Sequence, residues 1–446
     1  MATTTTEDSI AAWLAASPFQ GYAYAYPHKT AYRPLATPVS LGKLWAQENR
    51  QRLFLYVHVP FCEMRCGFCN LFTTSNPDNA LIGRWLTAME RQVEATAGVL
   101  GADARFARGA IGGGTPTFLE VPELDRLLRS LQSQFGTGLR DTIFSVEMSP
   151  ATVTVEKLAL LRAHGMKRAS LGVQSFIPSE VQTAGRAQRL ADVERALVLM
   201  RDSGVPVRNI DLIYGIPGQD EASWRHSLEV ALSHAPEELY LYPLYVRPLT
   251  GLERIQREPG DNREQLYRSG RDFLLEQGYR QISMRMFRRA AFAGFEEPVY
   301  VCQEDGMIGL GPGARSYTRE LHYSSDYAVE RASILRIVEM FADSAGVMGR
   351  FARHGAWLNR NEQQRRFVIK SLLRVEGLNA AEYRNRFGTC YLDDLPMLEE
   401  LAGHDLAYVE REGARLNAEG MAWSDAIGPW LYSAAIRERM REYSWT

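Results

Sequence analysis

From Leu53 onward, short apolar runs alternate with amphipathic stretches at a steady spacing. Leu53–Val59 is a β-branched and aromatic run of strand length. After it, Leu81, Ile82, Trp85, Leu86, Met89 and Val93 recur at the spacing of one helix face. The pair then repeats. A strand over 106–111 precedes a helix carrying Leu124, Leu127, Leu128 and Leu131, and Ile143–Met148 precedes a helix over 155–164. Strands over 169–174, Val207–Tyr214 and 239–245 are followed by helices over 193–200, 220–233 and 264–276, and a last strand is predicted over 279–284. Strand–helix units in series return the chain to the same end of a sheet, which makes the strands parallel. The fold class is therefore α/β, a partial or closed (β/α) barrel.

The two ends differ in texture. Residues 1–50 read as an extension with a dense aromatic block: Tyr22, Tyr24, Tyr26, Pro27, His28 and Tyr32. Such a block is either a lid that keeps water and oxygen from the barrel mouth or an arm packed on the surface. Past about 325 come helical stretches over 334–341, 362–373, 380–387 and 430–443. This divides the chain into an extension (1–50), a barrel (51–325) and a small, mostly helical C-terminal domain (326–446).

Composition narrows the function classes. The 446 residues carry a net charge of −2, so no basic field points to nucleic acid or an anionic membrane. No run of eighteen apolar residues is present, and Met1–Ile10 lacks the basic and apolar regions of a secretory signal. The expected location is cytoplasmic. There are five cysteines, of which Cys62, Cys66 and Cys69 share one loop directly after a predicted strand. In such a context a cysteine cluster reads as metal binding. Three thiolates suit three corners of a [4Fe–4S] cubane, and the loop has no fourth. The vacant iron is a candidate site for S-adenosylmethionine (SAM), whose amino and carboxylate groups can fill it. Reductive cleavage of the sulfonium then releases a 5′-deoxyadenosyl radical. The alternative is a zinc loop with Cys302 or a histidine as fourth ligand, although zinc loops usually pair two C-x2-C units.

Barrel active sites lie at the C-terminal ends of the strands. Gly112–Thr115, Glu147, Gln174, Asp211 and Tyr245 fall there. The glycines let backbone N–H groups approach a bound carboxylate, and Glu147 and Asp211 can accept from an ammonium or a ribose hydroxyl. Gly112-Gly113-Gly114 is not a dinucleotide fingerprint, since the spacing does not continue into the next helix. Gly309–Gly313 offers another backbone approach to SAM. His58 is either a donor tuning the cluster or a satisfied core residue. Arg285, Arg288 and Arg289 follow the last predicted strand and would suit carboxylates or phosphate at the mouth. Cys302 is a hydrogen-atom donor, a substrate ligand or methyl carrier, or a small buried hydrophobe; Cys390 reads as structural.

The motif Tyr56-Val-His-Val-Pro60-Phe-Cys62-x3-Cys66-Gly-Phe68-Cys69 resembles the oxygen-independent coproporphyrinogen III oxidase family of radical SAM proteins. So do Gly112-Gly113-Gly114-Thr115-Pro-Thr, Ser170-Leu-Gly-Val-Gln174-Ser-Phe, Asn209-Ile-Asp211-Leu-Ile-Tyr-Gly-Ile-Pro-Gly218 and Gly309-Leu-Gly-Pro-Gly-Ala314. The motifs span about 53 to 318, and the stretch from Gly377 to Gly388 is similar to the family's C-terminal domain. The resemblance implies that Cys62, Cys66 and Cys69 ligate the cluster. It implies that Tyr56, Gly113 and Glu147, with Arg315, hold the cluster-bound SAM, and that Phe68, Gly114, Thr115, Gln174, Arg186 and Asp211 hold a second SAM. Tyr245 sits where one further contact falls. Tyr56, Glu147 and Cys302 are the candidate catalytic residues.

Two departures bear on the substrate. Leu71 stands where the founding oxidase has a further cysteine, and Cys302-Gln303 stands about where heme-chaperone relatives have His-Asn. The chain therefore reads as a divergent subgroup. The expected function is a radical SAM enzyme acting on a small organic substrate, anionic if the arginines face it, as an oxidase-like oxidoreductase or a two-SAM methyl or alkyl transferase. A reductant such as flavodoxin or ferredoxin is the expected partner. The alternative is a heme-binding, chaperone-like protein without radical turnover.

Overall fold

The computed structural model describes residues 9–23, 25–136, 142–292, 306–344 and 349–445. Residues 1–8, Tyr24, Cys302 and Gln303 lie outside the described residues. In chain order the strands are β1 (Arg33–Ser40), β2 (Leu53–Val59), the short β3 (Phe61–Cys62) and β4 (Thr74–Ser75), β5 (Phe106–Gly113), β6 (Ile143–Met148), β7 (Met166–Gln174), β8 (Val207–Tyr214) and β9 (Glu238–Pro243). Then come β10 (Tyr279–Gln281), β11 (Met286–Arg289), β12 (Met307–Leu310), β13 (Arg315–Tyr317), β14 (Leu321–Ser324) and β15 (Phe351–Trp357). Helices Asn79–Leu100, Val121–Phe135, Val155–Ala163, Leu190–Asp202, Glu221–Ser233 and Arg263–Glu276 form the crossovers. No helix among the described residues is long and apolar enough to cross a membrane.

The run β12-β2-β5-β6-β7-β8-β9 is parallel throughout. The sheet does not close: beyond β12 it continues antiparallel through β13, β14, β15 and β1, and beyond β9 through β11 and β10. The barrel is thus the partial form. The segment predicted as one strand over 279–284 is instead half of a hairpin. Only residues 282–285 separate β10 from β11, too few for the crossover that a parallel return requires. The strand predicted to run to 245 ends at Pro243, which has no N–H to continue the ladder.

Alternation along the strands sets the two faces of the sheet. Leu53, Leu55, Val57 and Val59, Phe144 and Val146, and Ile210 and Leu212 are buried in the main apolar core. Between them stand Tyr56 and His58, Ser145 and Glu147, and Asn209 and Asp211. These bond to one another across the strands: Asn209 Nδ2 donates to Ser170 Oγ at 2.7 Å, and Arg168 Nη1 to Ser145 Oγ at 3.1 Å. The inner face is polar, so the barrel has a hydrophilic lumen rather than a packed apolar one.

Of the arginines expected at the mouth, Arg288 and Arg289 go elsewhere, and Arg285 is neutralised by an acidic partner. Because β11 runs antiparallel to β9, Arg288 stands opposite Glu238 at the start of β9, away from the strand ends that form the mouth. There Glu238 accepts from Arg168 Nε at 2.7 Å and Arg288 Nη2 at 2.9 Å, while Glu237 takes Arg208 and Arg289, each at 2.8 Å. Arg285 is buried in a two-pronged pair with Asp425, its Nη1 donating to Oδ1 at 2.8 Å.

Asp425 belongs to helix Ser424–Trp430 of the C-terminal region, where helices surround a three-stranded antiparallel sheet. β15, past residue 325, and β1, from the N-terminal extension, both stay in the main sheet. The extension is further tied down by Tyr26, whose buried hydroxyl donates to Glu362.

Removing one partner from a buried ion pair leaves an uncompensated charge, which costs about 3–5 kcal/mol. Asp425→Asn is expected to lower the urea midpoint accordingly. Arg285→Met/Asp425→Leu should recover most of the loss. Equal midpoints for wild type and Asp425→Asn would show that the pair does not tie the C-terminal region to the barrel.

Candidate active site

The cysteine loop leaves the end of β2 and is pinched at its base, where β3 pairs with β4. Thr74 N–H donates to Pro60 O at 2.7 Å, and Asn76 N–H to Cys62 O at 3.1 Å. Its tip is held from both sides: Gly67 N–H donates to Gly185 O at 3.0 Å, and Leu252 N–H to Gly67 O at 2.8 Å. A Cβ at Gly67 would meet Ala184 O at 2.8 Å, so glycine is required for that approach. Phe68, next to it, packs with the apolar group Ala184, Ile213, Ile216, Leu244 and Leu252.

Each thiol has a hydrogen-bond partner, and Thr73 serves both Cys62 and Cys69. Thr115 Oγ1 lies 3.6 Å from Cys62 Sγ, Arg186 Nη1 lies 3.2 Å from Cys66 Sγ, and Thr73 Oγ1 lies 4.0 Å from Cys69 Sγ. Burial pushes the Cys62 thiol up to about 12 and raises Cys69 as well, so metal loading must displace protons there. No group of three His, Cys, Asp or Glu among the described residues converges on a single ion. A mononuclear zinc needs that convergence. A cubane takes one thiolate per iron and keeps the sulfurs apart, so the donor set fits a [4Fe–4S] cluster.

The glycine loop after β5 lies against this assembly. A Cβ at Gly114 would meet Phe61 O at 2.5 Å and Cys62 Sγ at 3.0 Å. Gly113, at φ +105°, would meet the His58 ring at 2.4 Å. Gly113 N–H donates to Glu147 Oε2 at 3.1 Å. Burial, opposed by that hydrogen bond, brings the Glu147 carboxyl to about 6. Asp211 lies in the same lumen, accepting from Asn209 Nδ2 at 2.7 Å and Ser170 Oγ at 3.2 Å; burial raises it too. Gln174 closes β7 in a left-handed conformation, φ +70°. Arg186 is held by Gly172 O at 2.9 Å and Gln188 Oε1 at 2.8 Å while its other nitrogen reaches Cys66.

His58 resolves as a satisfied core residue. Its Nε2 lies 2.8 Å from Phe72 O and its Nδ1 3.2 Å from Tyr56 Oη, and burial lowers its pKa to about 4. It props Tyr56, and its ring nitrogens face Tyr56 and the Phe72 carbonyl rather than a thiol. Gly311 presses on the His58 carbonyl and Gly313 on the Phe72 ring, so that glycine loop serves packing against β2. Arg315 begins β13 directly after it. Tyr245 donates to Asp425, and Cys390 lies in the C-terminal region, half-buried. Leu71 is exposed beside Cys69.

Sequence reasoning did not single out Lys29 or Tyr327. The Tyr327 hydroxyl donates to Asn70 O at 2.8 Å, and the Lys29 ammonium sits 3.7 Å from the Tyr327 ring. The aromatic block does reach the mouth: Tyr22 lies 3.8 Å over Arg285 and Phe19 packs edge-on to Tyr214 at 6.1 Å.

Comparisons with known proteins agree with this geometry. The model of the Radical SAM superfamily matches residues 56–231. The chain is 26% identical over 433 residues to the oxygen-independent coproporphyrinogen III oxidase of Escherichia coli (strain K12), covering 90% of this chain and 91% of that one. It is 25% identical over 388 residues to the heme chaperone HemW of Bacillus subtilis, covering 84% of this chain and 98% of the relative. The solved structure of coproporphyrinogen III oxidase (HemN) from Escherichia coli, described as a radical SAM enzyme, superposes with a TM-score of 0.77 at 23% identity, covering 94% of this chain and 98% of that one. The fold is shared.

The raised Glu147 carboxyl has a consequence for stability. Its value moves from the ordinary 4.5 to about 6 on folding, so the folded state carries the cost of a partly desolvated carboxylate above pH 6 and escapes it below pH 4.5. Glu147→Gln keeps an acceptor for Gly113 and is expected to stabilise the metal-free protein at pH 8 by well under about 2 kcal/mol, since solvent in the lumen screens the carboxylate. The gain should vanish near pH 4, read as the difference in denaturation midpoints. A gain independent of pH would contradict the assignment.

Proposed function

We propose, from the premise that residues 56–231 are a radical SAM domain, that this protein is a radical SAM enzyme. It holds a [4Fe–4S] cluster on Cys62, Cys66 and Cys69 and acts on a small organic substrate in the lumen. The observation that carries the reading is the loop of three hydrogen-bonded thiols at the mouth of a polar barrel. When bound, the cluster passes one electron to SAM and so supplies a 5′-deoxyadenosyl radical.

The chain's own residues supply the rest. Glu147 offers its carboxylate to the SAM ammonium, Tyr56 is oriented by His58 to contact the same molecule, and Gly113 gives it room. Arg315, which begins β13, would complete that set. In this reading Phe68, Gly114, Thr115, Gln174, Arg186 and Asp211 would hold a second SAM or the substrate itself. The reaction is either oxidase-like or a two-SAM methyl or alkyl transfer. Leu71, exposed beside the loop, marks the side from which a flavodoxin- or ferredoxin-like reductant would approach.

Reconstituted, reduced protein incubated anaerobically with SAM should release 5′-deoxyadenosine, and Cys66→Ala should not. Iron and sulfide should each approach four per chain, as a [4Fe–4S] cluster requires. Absence of 5′-deoxyadenosine across several reductants, with a stoichiometric Soret shift on adding heme, would replace the enzyme reading with that of a heme carrier.

A further inference from the structure

Three glycines from three separate loops meet at the tip of the cluster loop. Gly67 lies between Cys66 and Cys69. A Cβ on Gly185 would fall 2.8 Å from Gly67 Cα, and one on Gly251 would fall 3.1 Å from the same atom. Gly185 is also held at φ +68°, a conformation that favours glycine. Gly185 and Gly251 are exposed and Gly67 is half-buried, so backbone rather than side chain meets solvent here. Two hydrogen bonds cross the contact: Gly67 N–H to Gly185 O at 3.0 Å and Leu252 N–H to Gly67 O at 2.8 Å. The exposed Gly185 is therefore one hydrogen bond from Gly67, which shares a peptide bond with Cys66. Electron tunnelling falls steeply across any gap that bonds do not bridge, and this path is bridged throughout.

The two loops that flank Gly67 carry apolar and basic side chains. Ile255 is 64% exposed and Leu190 37%. The stretch 182–190 holds Arg186 and Arg189 and no acidic residue, and the stretch 251–257 holds Arg254 and Arg257 against Glu253. Arg254 and Arg257 are both exposed. Arg189 shares Asp192 with Arg195, so two arginines meet one carboxylate. The patch is thus basic, on a chain whose net charge is −2. Arg186 is turned inward to Cys66 and belongs to the cluster loop rather than to this surface. A transient electron-transfer encounter needs little area, under about 1,200 Å² in total, and gains its speed from opposite charge on the partner.

We propose that the face centred on Gly67, Gly185 and Gly251 is the docking site of a small acidic one-electron carrier protein. The proposal rests on the radical SAM reading and narrows the reductant's approach from the cluster loop as a whole to its tip. One electron leaves the carrier, which is oxidised, and reaches the cluster, which is reduced; no bond forms or breaks. Side chains at the three glycines would hold the carrier away from the loop, a cost beyond the packing clash itself. Arg254 and Arg257 steer the carrier, and Ile255 and Leu190 give it an apolar margin to rest on.

The test uses reconstituted protein under anaerobic conditions with SAM, and a flavodoxin as the carrier. Calorimetric titration with oxidised flavodoxin at low ionic strength reads docking without turnover. Formation of 5′-deoxyadenosine driven by reduced flavodoxin reads electron delivery. Arg254→Glu, Arg257→Glu and Ile255→Glu each place a negative charge on the face. Each should weaken binding and slow the flavodoxin-driven rate about tenfold, the scale of a lost steering charge. With dithionite the same variants should match wild type, because a small reductant needs no docking face. Added salt should slow the wild type more than the variants. Arg411→Glu, exposed in the turn between strands Ala407–Glu410 and Gly413–Leu416, should behave as wild type throughout. A wild type that does not bind flavodoxin, or variants that bind and turn over with it as wild type does, overturns the proposal. So does an equal loss with dithionite, which would show that the substitutions disturb the cluster loop itself. If dithionite yields no 5′-deoxyadenosine from wild type, the radical SAM reading fails, and the calorimetric arm still decides whether the face docks the carrier.

Discussion

Everything at the mouth depends on holding three thiols still, on one loop, without letting them meet. A loop of this length has few hydrogen bonds of its own, so its rigidity is borrowed. The β3–β4 pair closes its base, Gly185 and Leu252 grip Gly67, and Tyr327 ties Asn70. Glycines at 67 and 114 permit contacts that any side chain would block. Thr115, Arg186 and Thr73 hydrogen-bond the three sulfurs and hold them on the loop.

The rest of the barrel arranges charge around this loop. Away from the mouth, Glu237 and Glu238 are saturated by four arginines: Arg168, Arg208, Arg288 and Arg289. Toward the mouth, Arg285 is spent on Asp425, which ties the C-terminal region to the barrel. The polarity of the lumen follows from strict alternation along the strands, with apolar residues turned to the helices and polar ones turned inward.

Much of this was legible in the sequence. Period-two and period-3.6 patterns located β2, β6 and β8 to the residue, and the cysteine spacing with its missing fourth thiol named the cofactor chemistry. The positions at strand ends, Gly113, Glu147, Gln174 and Asp211, followed from the rule that barrels act at one face. What was not legible depended on strand direction and on distant pairing. The hairpin at β10–β11 reverses the sheet, so Arg288 and Arg289 point away from the mouth, and no local pattern distinguishes that turn from a crossover. Lys29 lies in a segment whose composition reads as a surface arm. Its placement beside Tyr327 joins residues nearly three hundred positions apart, a contact that periodicity does not encode.

The central claim is that three cysteines hold a cubane whose remaining iron is open to SAM. Electron paramagnetic resonance of the reduced, reconstituted protein tests it most directly, recorded with and without SAM labelled with 17O in its carboxylate. The account predicts a reduced [4Fe–4S] signal whose shape shifts on adding SAM and broadens with the 17O label, because the carboxylate binds iron. A signal indifferent to SAM, or one that shifts without any effect of the label, would contradict it.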